Sequence, residues 1–219
     1  MKTLALLHTV KPVLNSFSKL LRSAIKEDVI IYDIYDDFLA IDPTNLGFFS
    51  KTNKKRLYND IENCSLTGAD MVIVTCSTLS PIVQELRPFF DVPIIAIDDA
   101  MCEEAVSCGS QIRVLATAKS TIQPTITKLK AEALKQGKVI EIVSSDYPVA
   151  YEAMKSGNLE LHDKLLSDIF KDIKDFDVIV LAQASMAHLA SIGKKLSNIK
   201  TLGSIDSCIE YVSKIIEGK

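Results

Sequence analysis

The chain has 219 residues, of which 47% are hydrophobic, enough apolar side chain for one large packed domain or two small ones. Lysine and arginine number 25 against 28 aspartates and glutamates, so the formal net charge of -3 leaves no excess of basic residues for binding nucleic acid. The N-terminal MKTLALLHTV contains too short an apolar run for a signal peptide or a membrane span. We therefore expect a cytoplasmic protein with no nucleic-acid or membrane partner.

The cysteines and histidines are scattered along the chain. The five cysteines are Cys64, Cys76, Cys102, Cys108 and Cys208, and no two of them form a CxxC pair. Neither a disulfide framework nor a structural metal site is indicated, so we predict no metal site. Because most free cysteines are small buried apolar residues, a functional role for any of them has to be supported by its position.

Short apolar runs alternate with amphipathic segments. The runs predict parallel strands covered on both faces, at 3–8, 29–35, 71–76, 93–97, 112–117, 139–143, 178–182 and 200–204. Apolar residues recur every three or four positions at 12–26, 124–135 and 159–174, which predicts helices there, and we expect a final helix at about 205–217. This alternation is typical of βαβ units in an α/β protein.

An internal repeat with an offset of nearly half the chain organises these elements. GADMVIVTCSTLSPI matches KDFDVIVLAQASMAHL, and this alignment pairs Asp70 with Asp177, Cys76 with Gln183, and Thr78 with Ser185. LLHTVKP matches VLATAKS, and PIIAIDD matches KTLGSIDS, in the same order. Four strands therefore occur twice, which favours a duplicated unit over a solenoid or a propeller.

The repeat predicts two pseudosymmetric α/β domains, each with a parallel four-stranded sheet flanked by helices. We expect residues 1–97 plus 205–219 to form the first domain and residues 98–204 to form the second. In open parallel sheets ligands bind at the carboxyl ends of the strands. Small polar residues follow four of the predicted strands, namely His8 and Thr9, Cys76 to Thr78, Thr117 to Thr121, and Gln183 to Ser185.

Cys76 is the best candidate for a chemically active residue. We expect Ser77 or Thr78 to cap a helix that follows it, so that backbone N–H groups and the positive end of the helix dipole face the strand end. Such a position holds a carboxylate and lowers the pKa of a thiol. The other four cysteines have no comparable position and are interpreted as packing residues.

The segments TCSTLSP, DVPIIAIDDAMCEEAV, IRVLATAKSTIQPT and DVIVLAQASMAHL resemble the aspartate/glutamate/hydantoin racemase superfamily, which includes arylmalonate decarboxylase and maleate isomerase. The resemblance covers nearly the whole chain. It implies an active site in the cleft between the two domains, a small carboxylate substrate, and no metal or organic cofactor. In the racemases of this family two cysteines, one from each half, act on opposite faces of the carbon next to a carboxylate.

The resemblance also implies roles for individual residues. Cys76 matches the catalytic cysteine of the first half, and His8 lies where glutamate racemases have an aspartate that assists it. The residues that match substrate-binding positions are Thr9, Ser77, Thr78, Thr117, Thr121, Gln183, Ala184 and Ser185. Segments 38–51 and 144–158 are expected to be loops that line the pocket.

The chain departs from the family at the second cysteine, which is replaced by Gln183, and Ala184 lacks the hydroxyl that usually follows. A glutamine amide neither gives nor takes a proton usefully, so His8 or His188 would have to replace the missing acid if racemisation survives. His188 would then face the cleft, but it could equally cover the helix surface.

We predict a cofactor-independent, cysteine-dependent racemase or isomerase that acts next to a carboxylate. The alternatives are a one-thiol decarboxylase of the arylmalonate type and a non-catalytic carboxylate-binding or regulatory protein. The fold alone does not choose among these three functions. A homodimer or a higher homo-oligomer is left open.

Overall fold

The computed structural model describes residues 1–218 and divides into two α/β units. The first unit is Met1–Asp99 with Cys208–Lys219, and the second is Ala100–Ser207, which differs by a few residues from the boundaries expected from the repeat. None of the helices in residues 1–218 is long and apolar enough to cross a lipid bilayer.

Each unit contains one parallel four-stranded sheet. The strands of the described chain are β1 (Lys2–His8), β2 (Val29–Tyr35), β3 (Met71–Val74), β4 (Ile94–Ala96), β5 (Gln111–Ala116), β6 (Glu141–Asp146), β7 (Val178–Leu181) and β8 (Lys200–Gly203). Their order is β2-β1-β3-β4 in the first sheet and β6-β5-β7-β8 in the second, and all the pairings are parallel. The predicted fold class, with two equivalent four-stranded sheets, is confirmed.

Helices connect the strands. They are α1 (Lys11–Ala24), α2 (Phe38–Leu46), α3 (Lys51–Ser65), α4 (Ser80–Leu86), α5 (Asp99–Cys108), α6 (Ile122–Lys135), α7 (Pro148–Lys155), α8 (Leu159–Asp172), α9 (Ala190–Ser197) and α10 (Ser204–Ile216). The expectation of loops at 38–51 and 144–158 was wrong, because α2 and α7 occupy much of these segments. Pro148 begins α7, a position at which the missing N–H costs no helical hydrogen bond.

The central strands are largely buried on both faces, as their apolar sequences predict, whereas β2 and β6 at the sheet edges are mostly partly buried or exposed. All four residues of β3 and all four of β7 are buried. In the second unit, Val114 and Val180 pack in one core cluster, whereas Leu115 and Leu181 pack in another. Because successive side chains of a strand point to opposite faces, these clusters cover the two sides of one sheet.

An aspartate just before β3 and its repeat partner before β7 make equivalent contacts. Asp70 accepts a hydrogen bond of 2.8 Å from the Thr3 backbone N–H, and Asp177 accepts bonds of 2.8 Å from the N–H groups of Ser110 and Gln111. The Thr3 bond, with the nearby Lys2 ammonium, holds the pKa of Asp70 below its ordinary value. Each aspartate thus ties a third strand to the beginning of the central strand.

Two carboxylates and an arginine join the end of β2 to α3. Arg56 binds both oxygens of Asp36, with Nη2 3.1 Å from Oδ1. Burial opposes ionisation of Asp36, but hydrogen bonds from Arg56 and Asp60 outweigh it and lower the pKa of Asp36. Burial and the neighbouring Asp36 raise the pKa of Asp60 to about 7. The pair therefore favours one negative charge rather than two.

This pair predicts a pH-dependent gain in stability for Asp60→Asn. Since the folded-state pKa of Asp60 is raised, its proton stabilises the fold fully below the unfolded pKa of about 4, and this contribution is lost as the pH rises through about 7. The neutral amide of Asp60→Asn can still donate to Asp36. Its melting temperature should exceed that of wild type by a few degrees at pH 8, and the difference should shrink towards pH 4.

The control is Asp91→Asn, which removes the same formal charge at an exposed position. Thermal unfolding of both variants and wild type between pH 4 and pH 8 makes the comparison. An Asp60→Asn difference that is the same at every pH would contradict the raised pKa of Asp60.

Candidate functional site

Strand register places the polar residues that follow β1 and β3 side by side. Leu7 pairs with Val74, and the Thr75 backbone N–H donates to the Leu7 carbonyl at 3.0 Å. Thr9 and Cys76 therefore follow neighbouring strands, at the edge of the first sheet where both strands end. In the second unit Leu115 pairs with Leu181, and the Ala182 N–H donates to the Leu115 carbonyl at 2.9 Å.

Cys76 is partly exposed at the end of β3, and its Sγ lies 3.0 Å from the hydroxyl oxygen of Thr78. Either atom can be the donor, so Thr78 can accept from a thiol or donate to a thiolate. The expectation that Ser77 or Thr78 caps the helix that follows Cys76 was wrong. A 3₁₀ turn at Ser77–Leu79, with no side-chain cap, precedes α4, which has only seven residues.

The other cysteines differ from Cys76 in accessibility or in surroundings. Cys64, Cys102 and Cys208 are buried, and burial together with the Asp60 carboxylate raises the pKa of the Cys64 thiol to about 12. Cys108 is partly exposed like Cys76, but it is the last residue of α5. Cys76 and Cys108 are thus the two accessible thiols in residues 1–218.

Thr9 carries a buried hydroxyl without a hydrogen-bond partner in the described chain. The residue is 2% exposed, and Oγ1 contacts no donor or acceptor within residues 1–218. It directly precedes Val10, the N-cap of α1, which makes no side-chain capping bond. A buried hydroxyl without a hydrogen-bond partner destabilises the fold, so a ligand oxygen that accepts a bond from Thr9 would remove this energetic cost.

His8 is fully buried, and both of its ring nitrogens are engaged. Nδ1 lies 2.8 Å from the Thr75 hydroxyl, and Nε2 lies 3.0 Å from Oδ1 of Asp33. Burial lowers the pKa of His8, and Asp33 opposes this effect only in part. Direct proton exchange with Cys76 would require one of these bonds to break, so the assisting role that the resemblance gives His8 stays a prediction.

Gln183 binds the residues that follow β5. Its Oε1 accepts hydrogen bonds from the Thr117 N–H at 2.6 Å, the Thr117 hydroxyl at 3.0 Å and the Ala118 N–H at 2.9 Å. Gln183 and Thr121 are both 8% exposed. The Thr121 hydroxyl donates to the Ala118 carbonyl at 2.8 Å, so it supports the turn and does not point to a free position.

The remaining candidates of the second unit lie in the 3₁₀ turn Ala184–Leu189. Ala184 is partly buried and Ser185 is exposed, and Ser77, the repeat partner of Ala184, is buried. The structure thus brings Thr117 and Gln183 into direct contact, whereas Ser185 makes no side-chain hydrogen bond within residues 1–218.

His188 belongs to a cluster that the sequence does not reveal. Its Nε2 lies 2.9 Å from Oδ1 of Asp163, and Nδ1 of the buried His162 lies 2.7 Å from the same oxygen. Burial disfavours the Asp163 carboxylate, but bonds from His162 and His188 outweigh it and lower the pKa of Asp163. Ligand atoms of the three residues lie within 4.8 Å of one another, so they are donors that could hold a metal ion.

Comparisons with known proteins agree with this architecture. The chain aligns over 100% of its length with aspartate racemase from Picrophilus torridus, at 14% identity and a TM-score of 0.73 over 95% of that chain. A glutamate racemase isoform from Bacillus anthracis gives 17% identity and a TM-score of 0.71, covering 99% of this chain and 82% of that one. Allantoin racemase from Klebsiella pneumoniae gives 16% identity and a TM-score of 0.68, with coverages of 100% and 89%.

At these identities the solved structures show a shared fold. A search of curated proteins found no match. The family model for Asp/Glu/Hydantoin racemase matches residues 17–212, which is most of the chain and includes both Cys76 and Gln183. The protein therefore belongs to the Asp/Glu/hydantoin racemase family.

Proposed function

We propose that the protein is a cofactor-independent enzyme that uses Cys76 to move a proton at the carbon next to the carboxylate of a small acid or amino acid. Family membership supports the isomerase or racemase class. The proposal depends on two neighbouring features of the first sheet. The Cys76 thiol is partly exposed after β3, and the buried Thr9 hydroxyl after β1 has no hydrogen-bond partner within residues 1–218.

The repeat indicates how a carboxylate would bind beside Cys76. In the second unit, the Thr117 hydroxyl and two backbone N–H groups hold a carbonyl oxygen of Gln183. Thr9 is the repeat partner of Thr117, and Cys76 is the partner of Gln183. Cysteine is too short to reach such donors as glutamine does, so a ligand carboxylate can take the place of the amide oxygen.

The proposed chemistry is proton transfer by a thiolate. Sγ of Cys76 removes the proton from the α-carbon, and the electron pair moves into the carboxylate as an enolate-like charge that the donors at Thr9 stabilise. The Thr78 hydroxyl, 3.0 Å from Sγ, supports the thiolate form by donating to it. Delivery of a proton to the carbon then ends the reaction: return from Sγ gives only proton exchange, whereas delivery to the opposite face by another acid gives the other enantiomer.

The absence of an acidic proton on Gln183 favours a second candidate function. Return from Cys76 alone restores the original configuration, so racemisation needs another acid, which would be His8, His188 or solvent. In a decarboxylase, by contrast, loss of CO₂ creates the enolate, and one thiol is enough to protonate it on one face. Gln183 is thus the residue that favours the lyase alternative.

The first prediction is that Cys76 is the most reactive thiol of the folded protein. Alkylation requires an accessible thiolate, and Cys108 is the accessible competitor. Iodoacetamide labelling near neutral pH, followed by peptide mass spectrometry, should modify Cys76 first. Cys76→Ala should remove the fast phase, and the matched control Cys108→Ala should keep it. Faster modification of Cys108 would count against the proposed site.

The second prediction tests catalysis directly. Amino acids, hydantoins and malonates are incubated with the protein in deuterated water, and α-proton exchange and CO₂ release are measured. The rate on an active substrate should fall about 10²- to 10⁴-fold in Cys76→Ala and remain unchanged in Cys108→Ala. Exchange indicates an isomerase and CO₂ release a lyase. Binding without either reaction across the panel would support the non-catalytic alternative.

The third prediction concerns Thr9→Val, which removes the hydroxyl at nearly constant shape. The ligand-free variant should melt at a higher temperature than wild type, because a buried group without a partner is lost. Its affinity for the carboxylate ligand should fall about tenfold or more, as expected for one hydrogen bond to a charged group. Calorimetric titration and thermal unfolding measure both effects. A gain in stability with unchanged affinity would show that Thr9 does not contact the ligand.

A further inference from the structure

Three hydrogen-bond donors converge on one oxygen atom in the second unit. Two of them are backbone N–H groups, of Thr117 and Ala118, which donate under all conditions, so the atom facing them has to be the acceptor oxygen of the Gln183 amide rather than its nitrogen. The Thr117 hydroxyl adds a third bond at 3.0 Å. Gln183 is only 8% exposed, so these bonds form in a largely desolvated place.

Such a donor set is suited to a negatively charged oxygen. The neutral amide oxygen of Gln183 here accepts three bonds, and a carboxylate oxygen in the same place would make stronger, charge-assisted bonds with these donors. The donors also precede the 3₁₀ turn Lys119–Thr121 and the 14-residue helix α6, whose first N–H groups lie at this end. The donors at Thr117 and Ala118 therefore favour a negatively charged oxygen over a neutral one.

The first unit serves as an internal comparison. Thr9, the repeat partner of Thr117, keeps its hydroxyl buried and unpartnered, and Cys76, the partner of Gln183, bonds to Thr78 instead. The threonine hydroxyl that follows the central strand is thus hydrogen-bonded to a side chain in the second unit and has no partner in the described residues of the first. The difference follows from one residue, the glutamine at position 183.

We propose that Gln183 is an internal ligand of an oxyanion site formed by Thr117 and Ala118, and that it excludes small carboxylates from this site. Removing the amide opens the site to a carboxylate such as formate or acetate. The inference depends on contacts within the second unit alone, so it holds or fails independently of any catalytic role of Cys76.

The test is a titration of the ¹⁵N-labelled full chain with sodium formate, with sodium chloride at equal ionic strength as the reference. In Gln183→Ala the amide signals of Thr117 and Ala118 should shift saturably with formate and not with chloride. Wild type should show no saturable shift of these two signals. Gln183→Glu is the matched control, because it keeps an acceptor oxygen in the site and should not respond.

A second variant tests the donor set. Adding Thr117→Val to Gln183→Ala removes the hydroxyl donor and should weaken formate binding about tenfold or more. Formate should also raise the melting temperature of Gln183→Ala, because a ligand that binds only the folded state stabilises it. No saturable response of Gln183→Ala to formate would overturn the assignment of an oxyanion site.

A measurement on wild type keeps the proposal testable if Gln183→Ala does not fold. Scalar coupling across a hydrogen bond should link the amide nitrogens of Thr117 and Ala118 to Cδ of Gln183. Detecting it supports the internal ligand. Its absence, or a wild-type formate response as strong as that of Gln183→Ala, would show that Gln183 does not occupy the site in solution.

Discussion

Parallel pairing of the central strand with the third strand of each sheet is the constraint on which the candidate site depends. The Thr75 N–H bonds to the Leu7 carbonyl, and the Ala182 N–H bonds to the Leu115 carbonyl. A shift of one residue in either register would turn every following side chain to the opposite face. These pairings therefore place Thr9 and Cys76 after neighbouring strands at the same sheet edge and bring Thr117 into contact with Gln183.

Within this common framework the two units differ in how the donors at the strand ends are satisfied. The Gln183 side chain is long enough for its carbonyl oxygen to accept hydrogen bonds from Thr117 and Ala118. The donors of the second unit are therefore satisfied by a side chain of the same unit. Cys76 ends at a sulfur that bonds to Thr78, and the Thr9 hydroxyl is left without a partner within residues 1–218. The duplicated fold has thus kept its strand pairing, while the polar groups at the two strand ends make different hydrogen bonds.

Buried titratable groups behind the first strand end are held mainly in their less charged forms. Burial lowers the pKa of His8, and burial together with the neighbouring Asp36 raises the pKa of Asp60 to about 7. Desolvation is the largest cause of both shifts, because it penalises the charged form of each group. A neutral His8 between Thr75 and Asp33 keeps the end of β3 fixed without adding a positive charge beside Cys76.

The sequence by itself determined the strands and the duplicated α/β architecture, because strand burial and repeat spacing are local patterns that one chain displays. It also singled out Cys76, whose chemical role stays a prediction. The match of Asp70 with Asp177 has the same basis, since both make the same backbone contact. Only the tertiary structure decided that Gln183 binds Thr117, that His8 bonds to Asp33, and that His188 joins Asp163. Side-chain partners of this kind depend on rotamer and distance between residues far apart in the chain, and spacing along a sequence does not encode them.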